Sequence, residues 1–280
     1  MKNRKEEVIG LINNVQDILY KVLDIIDDES EGQELNVENM KLDIEKTFQC
    51  FIESESNKLA LTAGLSIAEH SDEDTFNPLY VYGPSGCGKS HLINAIGVRF
   101  KETHLQEKVV YTTARQFQVQ FTDSVRQNTT KDFINCYQLV DMLIVDDIQE
   151  WMKAPKTLEA FFQVFNNLLR NGKQIVLACD RPPVELQGME ERLLKRFACG
   201  LVVELEKPDM QLYIDILNVK CHQSGMKIPS EVIEFIANTV SSVYDLEGVM
   251  NSLKVYSTVN NSNIDMDIAK RVIMRYVKLD

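Results

Sequence analysis

The chain has 280 residues, 44% hydrophobic and 26% charged, a balance that suits one large globular domain or two moderate ones. No apolar run reaches membrane-spanning length, the six cysteines form no C-x-x-C pair and the four histidines lack zinc-ligand spacing, which argues against a membrane protein, a disulfide framework and a zinc site. A net charge of −12 removes any global electrostatic footprint for nucleic acid and leaves DNA contact to a local basic strip.

The basic start, Met1 to Glu7, leads into no uninterrupted apolar region and no cleavage site, so the expected location is cytoplasmic, with reduced thiols. Residues 5–26 carry a heptad stripe. Val8, Val15 and Val22 are adjoined by Leu11, Ile18 and Ile25 and widened by Ile12, Leu19 and Ile26. This short amphipathic helix, within residues 1–28, either pairs with another copy or another protein or folds back onto the main domain. Residues 29–45 read as an acidic linker, continuing the polar run Asp27-Asp28-Glu29-Ser30-Glu31.

From residue 46 to 206 strands alternate with helices. Strand candidates fall at 79–82, 108–111, 142–146, 174–179 and 201–205, which implies a five-stranded parallel sheet in an α/β domain. Between the second and third, Thr112 to Tyr137 reads as two helices, with Phe117, Phe121 and Val125 at helical spacing as core positions. After Lys207-Pro208-Asp209 the β signals stop. Residues 207–280 read as a small all-α lid domain, broken at Gly225, Pro229 and Asn260 to Asn263.

The chemistry is carried by Gly83-Pro84-Ser85-Gly86-Cys87-Gly88-Lys89-Ser90, a G-x-x-x-x-G-K-S/T phosphate loop between the strand Leu79 to Tyr82 and a helix opening at His91. Glycines let backbone N–H groups turn inward around phosphate oxygens, and the helix N-terminus adds positive partial charge. Lys89 would reach the outer phosphates of ATP and the Ser90 hydroxyl would ligate Mg2+. Met142-Leu143-Ile144-Val145-Asp146-Asp147 is an apolar strand ending in two carboxylates, of which Asp146 would hold Mg2+ and Asp147 would polarise the attacking water.

These residues make the chain resemble the AAA+ P-loop domain of the DnaA/Hda family of bacterial replication initiators, from about Thr47 to the C-terminus. The resemblance rests on Asn77 to Gly83, on Val140 to Gln149 with its Asp-Asp-Ile-Gln ending, on Phe161 to Asn166 and on Leu246-Glu247-Gly248. It implies that Phe51, Ile52 and Asn57 flank adenine and that His91 completes the nucleotide-binding set. It further implies that Asp180 is the γ-phosphate sensor, that Arg196 is an arginine finger acting on a neighbouring subunit's ATP, and that Arg192 supports it. The 112–137 helices look like the family's assembly-steering insertion, with Lys153 and Lys156 as the nearest basic candidates for single-stranded DNA.

Two departures accompany the resemblance. Tyr244 stands where the family has a second sensor arginine, which implies slowed hydrolysis of ATP to ADP and phosphate. The chain also stops at Asp280 without the family's helix-turn-helix, which implies no sequence-specific duplex reading. The function implied is replication initiation or its regulation, by ATP-state assembly with itself or a full-length initiator and with a replicative helicase as a further partner. The alternatives are a loader of the DnaC or IstB type for a helicase or transposase, and an ATP-dependent assembly module with little turnover.

Overall fold

A computed structural model describes residues 42–69, 76–260 and 263–277. The heptad segment and most of the acidic linker lie outside the described residues. Five strands, β1 (Leu79–Tyr82), β2 (Val109–Thr113), β3 (Met142–Asp146), β4 (Gln174–Cys179) and β5 (Leu201–Glu204), pair in parallel in the order β2-β3-β4-β1-β5. Because every strand runs the same way, the loops after β3, β4 and β1 open side by side at one edge of the sheet, where open α/β folds bind ligands.

Strand alternation sorts the core into two faces. Leu79, Val81, Met142, Ile144, Val176 and Ala178 join one cluster, covered by α1 (Lys58–Glu69) and α2 (Lys89–Thr103) through Ala60, Ile67, Leu92, Ile93, Ile96 and Phe100. Fully burying each of the larger of these side chains stabilises the fold by about 1.5–3 kcal/mol. Tyr80 points to the other face, where its ring lies 6.0 Å from that of Phe197. That face is aromatic. Phe117 of α3 (Ala114–Arg126) meets Phe133 and Tyr137 of α4 (Thr130–Gln138), Trp151, and Phe161 of α5 (Pro155–Arg170), with ring centroids 4.9–5.7 Å apart. Trp151 is fully buried and donates its indole N–H to the Ala114 carbonyl at 2.6 Å.

Three sequence expectations are corrected here. The second strand runs to Thr113, so Thr112 and Thr113 do not belong to the helix. Both are β-branched and finish the strand, and Thr113 then caps α3 by accepting from the Gln116 N–H at 3.1 Å while the Gln116 side chain accepts from its own N–H. Of the three expected core positions, Phe117 is buried and Phe121 is half-buried against Phe133, but Val125 is 54% exposed. Steps of four residues drift around a 3.6-residue helix, and after two steps the side chain has left the core face. Leu42 to Lys46, mostly within the stretch read as linker, pack on α2. Leu42 sits against the core, and the Asn94 amide donates to the carbonyls of Asp43 at 2.7 Å and Lys46 at 2.9 Å.

The C-terminal part is helical: α7 (Met210–Ser224), α8 (Ser230–Thr239), α9 (Val243–Asn260) and α10 (Met266–Ile273) follow α6 (Glu191–Phe197) and β5. They enclose a second core of Leu217, Val232, Ile236, Leu246, Val249, Leu253 and Ile268. Gly225 ends α7 in the left-handed region at φ 68°, the usual glycine C-cap. Among the described residues no helix is long and apolar enough to cross a membrane.

Candidate functional site

The phosphate loop joins β1, an interior strand between β4 and β5, to α2. Lys89, only 8% exposed, turns its ammonium back onto the loop and donates to the carbonyls of Gly83 at 2.8 Å and Pro84 at 2.9 Å. Pro84 and Ser85 form the exposed tip, whereas Cys87 is buried in the core and burial pushes its thiol pKa up. Gly86 has φ 75°, a conformation that L side chains rarely adopt. A Cβ there would lie 2.6 Å from Ser242 Cβ and 3.2 Å from the Tyr244 ring. The lid helix α9 therefore begins against the loop, and the Val243 N–H donates to the Gly86 carbonyl at 3.1 Å.

Alternation along β3 puts Met142, Ile144 and Asp146 on the α2 face. Asp146, 3% exposed, thus meets the first turn of α2 on the side of the Ser90 hydroxyl. Its Oδ1 accepts from the Asp147 N–H at 2.9 Å and its Oδ2 from the Tyr111 hydroxyl at 3.0 Å. Burial raises the Asp146 pKa, an effect opposed by the nearby Ser90 hydroxyl and the Tyr111 hydrogen bond and reinforced by the neighbouring Asp147 charge. Burial likewise raises the Tyr111 pKa, so the phenol stays a donor. Hydroxyl and carboxylate oxygens are the hard donors that suit Mg2+.

Asp147 takes the left-handed conformation at φ 57°, unusual for a residue other than glycine and typical of functional turns. Its Oδ1 accepts from the Gln149 amide at 2.9 Å, and the Gln149 carbonyl oxygen accepts from the Asp180 N–H at 3.3 Å. Gln149 thereby ties the end of β3 to the end of β4. Arg181 forks onto Asp180 at 2.7 and 2.8 Å, and that hydrogen bonding holds the Asp180 carboxyl below its ordinary pKa.

The structure gathers Lys89, Ser90, Asp146, Asp147 and Asp180 at one edge of the sheet. Phe51 joins them, with its ring 3.4 Å from where a Gly88 Cβ would sit and edge-on to His91 at 5.3 Å. Ile52 is half-buried beside it. Asn57 is buried and spent locally, since its amide donates to the Ile52 carbonyl and accepts from the Ser54 N–H, both at 2.9 Å. His91 likewise braces the segment, donating Nε2–H to the Thr47 carbonyl at 2.9 Å, and burial lowers its pKa. Arg192 lies over the Phe162 ring at 4.6 Å. Arg196 is exposed and has no ion-pair partner among the described residues, whereas its neighbour Lys195 pairs with Glu191. Lys153 and Lys156 are exposed where the 3-10 helix Ile148–Lys153 passes into α5.

Sequence reasoning missed Tyr111, Gln149, Arg181 and the Ser242–Val243 contact as parts of this site. Tyr111 had one signal, an aromatic hydroxyl in phase with Val109 on the core face of its strand. The lid contact had none.

A parallel sheet in this order, a phosphate loop after the interior strand β1, paired carboxylates at the end of β3 and a helical lid laid on the loop define an AAA+ P-loop domain. The chain belongs to the bacterial DnaA ATPase domain family, whose model matches residues 42–204. It is 52% identical over 234 residues to the chromosomal replication initiator protein DnaA of Bacteroides fragilis, a match covering 83% of this chain and 49% of the relative. Domain III of the Thermotoga maritima replication initiation protein DnaA aligns with a TM-score of 0.81 at 31% identity, covering 85% of this chain and 100% of that one. A replication initiator DnaA bound to AMPPCP and single-stranded DNA aligns at 0.71 with 32% identity, covering 76% and 66%. The chain spans about half the length of the curated relatives it matches.

Proposed function

We propose that this chain is a DnaA-like AAA+ protein of the cytoplasm that binds ATP with Mg2+ and acts in replication initiation or its regulation. It assembles with copies of itself or with a longer initiator in the ATP state. The observation that carries this reading is the convergence of Lys89, Ser90, Asp146, Asp147 and Asp180 at three neighbouring strand ends, with Gly86 touching the lid. Lys89 and the loop N–H groups meet the phosphates, and Phe51 and Ile52 flank the base. Ser90 and Asp146 hold Mg2+, whose charge offsets that of the phosphate oxygens when bound. Asp147 orients water and Asp180 senses the γ-phosphate, while exposed Arg196 reaches the ATP of the adjoining copy. Lys153 and Lys156 supply a weak, salt-sensitive single-stranded DNA contact, in keeping with the related initiator bound to such DNA.

A second reading, an assembly module with little turnover, is favoured by Tyr244. This side chain is 62% exposed at the loop and offers a phenol rather than a cation.

The test is nucleotide binding followed by sizing with ATP, ADP and neither. Wild type is expected to bind ATP and to grow with it, and Lys89→Ala to lose ATP binding. Tight ATP binding by Lys89→Ala would overturn the site. Binding without growth would leave the site standing and remove self-assembly.

A further inference from the structure

The Asp146 carboxylate is gripped from two directions. One grip is local, the N–H of the next residue at 2.9 Å on Oδ1. The other comes from the adjacent strand, the Tyr111 hydroxyl at 3.0 Å on Oδ2. The β2–β3 register explains the reach. Tyr111 pairs with Ile144 and Thr113 with Asp146, so Tyr111 and Asp146 are diagonal neighbours on one face, a gap that a phenol can span. Tyr111 itself packs against the core under α2, which fixes where its hydroxyl can go.

We propose that Tyr111 is a positioning residue for metal binding: its hydroxyl fixes the plane of the Asp146 carboxylate so that its remaining lone pairs serve the Mg2+ held with Ser90. This rests on the nucleotide–Mg2+ site proposed above. A carboxylate has about four acceptor positions on its two oxygens, so accepting from Tyr111 and Asp147 leaves capacity for the cation side. One donor alone leaves the plane free to swing, and two donors on different oxygens define it. Partners that orient a metal-holding carboxylate typically contribute about 10–100-fold to metal affinity.

The experiment titrates Mg2+ against binding of a fluorescent ATP analogue to the full chain, for wild type, Tyr111→Phe, Asp146→Asn and the double variant. Nucleotide affinity in EDTA and the thermal midpoint are measured alongside. Tyr111→Phe should shift the Mg2+ midpoint upward by about tenfold or more and leave the EDTA affinity unchanged. It should add no further shift in the Asp146→Asn background, because the two act through one contact. A hydroxyl that merely satisfied a buried carboxylate would move the thermal midpoint and not the Mg2+ midpoint, and that result overturns the proposal. An unchanged midpoint in a chain that binds nucleotide overturns this inference alone. Absence of nucleotide binding by wild type overturns the site reading, and this inference with it.

Discussion

The backbone N–H of Val243 donates to the carbonyl of Gly86 over 3.1 Å, so the first turn of lid helix α9 is hydrogen-bonded to the phosphate loop itself. Ser242 caps α9 at the same point, exchanging hydrogen bonds with Asp245 at 3.1 and 2.8 Å, which makes the contact a rigid helix start. A change in loop geometry is thereby transmitted to a body with its own core, and a shift of that body is transmitted to the loop.

Gly86→Ala tests this junction. The left-handed backbone alone costs an L residue about 1–2 kcal/mol, and the new Cβ would press on Ser242 at 2.6 Å. The variant should unfold at lower temperature and bind ATP about tenfold more weakly, since 1.4 kcal/mol is a factor of ten. Gly225→Ala is the control, with φ 68° but nothing within 4 Å. It should lose stability and keep its nucleotide affinity. Equal affinities for both variants and wild type would mean that the lid contact does not tune the site.

Arg196 and Phe197 are adjacent and should behave oppositely. Phe197 is fully buried, 5.7 Å from Phe165 and 6.3 Å from Phe161 between ring centroids. Phe197→Ala should cost about 3–5 kcal/mol in urea unfolding. Arg196→Ala removes an exposed side chain and should change stability by no more than about 0.5 kcal/mol. It should leave monomer ATP binding intact and abolish ATP-driven growth in sizing. Growth that survives Arg196→Ala would remove the finger role.

The contrast between those neighbours shows what could be read from the sequence. Buried parallel strands write themselves as apolar runs, so β1, β3 and β4 were legible to the residue, and the phosphate loop was legible because its chemistry is local. Relations set by register or docking were not. Nothing near Tyr111 says that β2 pairs with β3 so as to bring its hydroxyl to Asp146. Nothing near Gly86 says that Val243 will reach it. Val125 was misjudged because a four-residue repeat follows a helix face for only two or three positions. Asn57, expected in the segment that flanks adenine, uses its amide to close the Ile52–Asn57 turn of that segment, a local bond that spacing alone does not announce.

Lys153 and Lys156 can be separated from ordinary solvated lysines by salt dependence. Each phosphate contact on a single strand contributes about −0.7 to the slope of log affinity against log salt. Replacing both with alanine should flatten that slope by about 1.4 and weaken single-stranded DNA of every sequence alike. Fluorescence anisotropy across a salt series measures it. An unchanged slope would assign both side chains to bulk surface.

Asp146 sets stability against function, and pH exposes the conflict. Burial lifts its carboxyl above the ordinary value of 3.8. A group with a raised folded pKa contributes stability that is fully present below the unfolded pKa and is lost as pH rises through the folded one. Burial therefore works against the charged carboxylate as pH rises, and Asp146 has no ion-pair partner among the described residues. Asp146→Asn keeps the shape, accepts from the Asp147 N–H and can donate to the Tyr111 oxygen. In EDTA at pH 7 it should be more stable than wild type by about 1 kcal/mol, the usual scale on which a site trades stability for function. Lowering the pH toward 3.8 should erase the gain, because wild-type Asp146 then carries its proton. The acids common to both proteins cancel in the difference. With ATP and Mg2+ at pH 7 the order should reverse, since only wild type gains the binding energy of the metal-bound nucleotide. Urea unfolding of both proteins under the three conditions reads all of this, and a variant less stable than wild type in EDTA at pH 7 would show that the charged carboxylate is compensated by its hydrogen bonds alone.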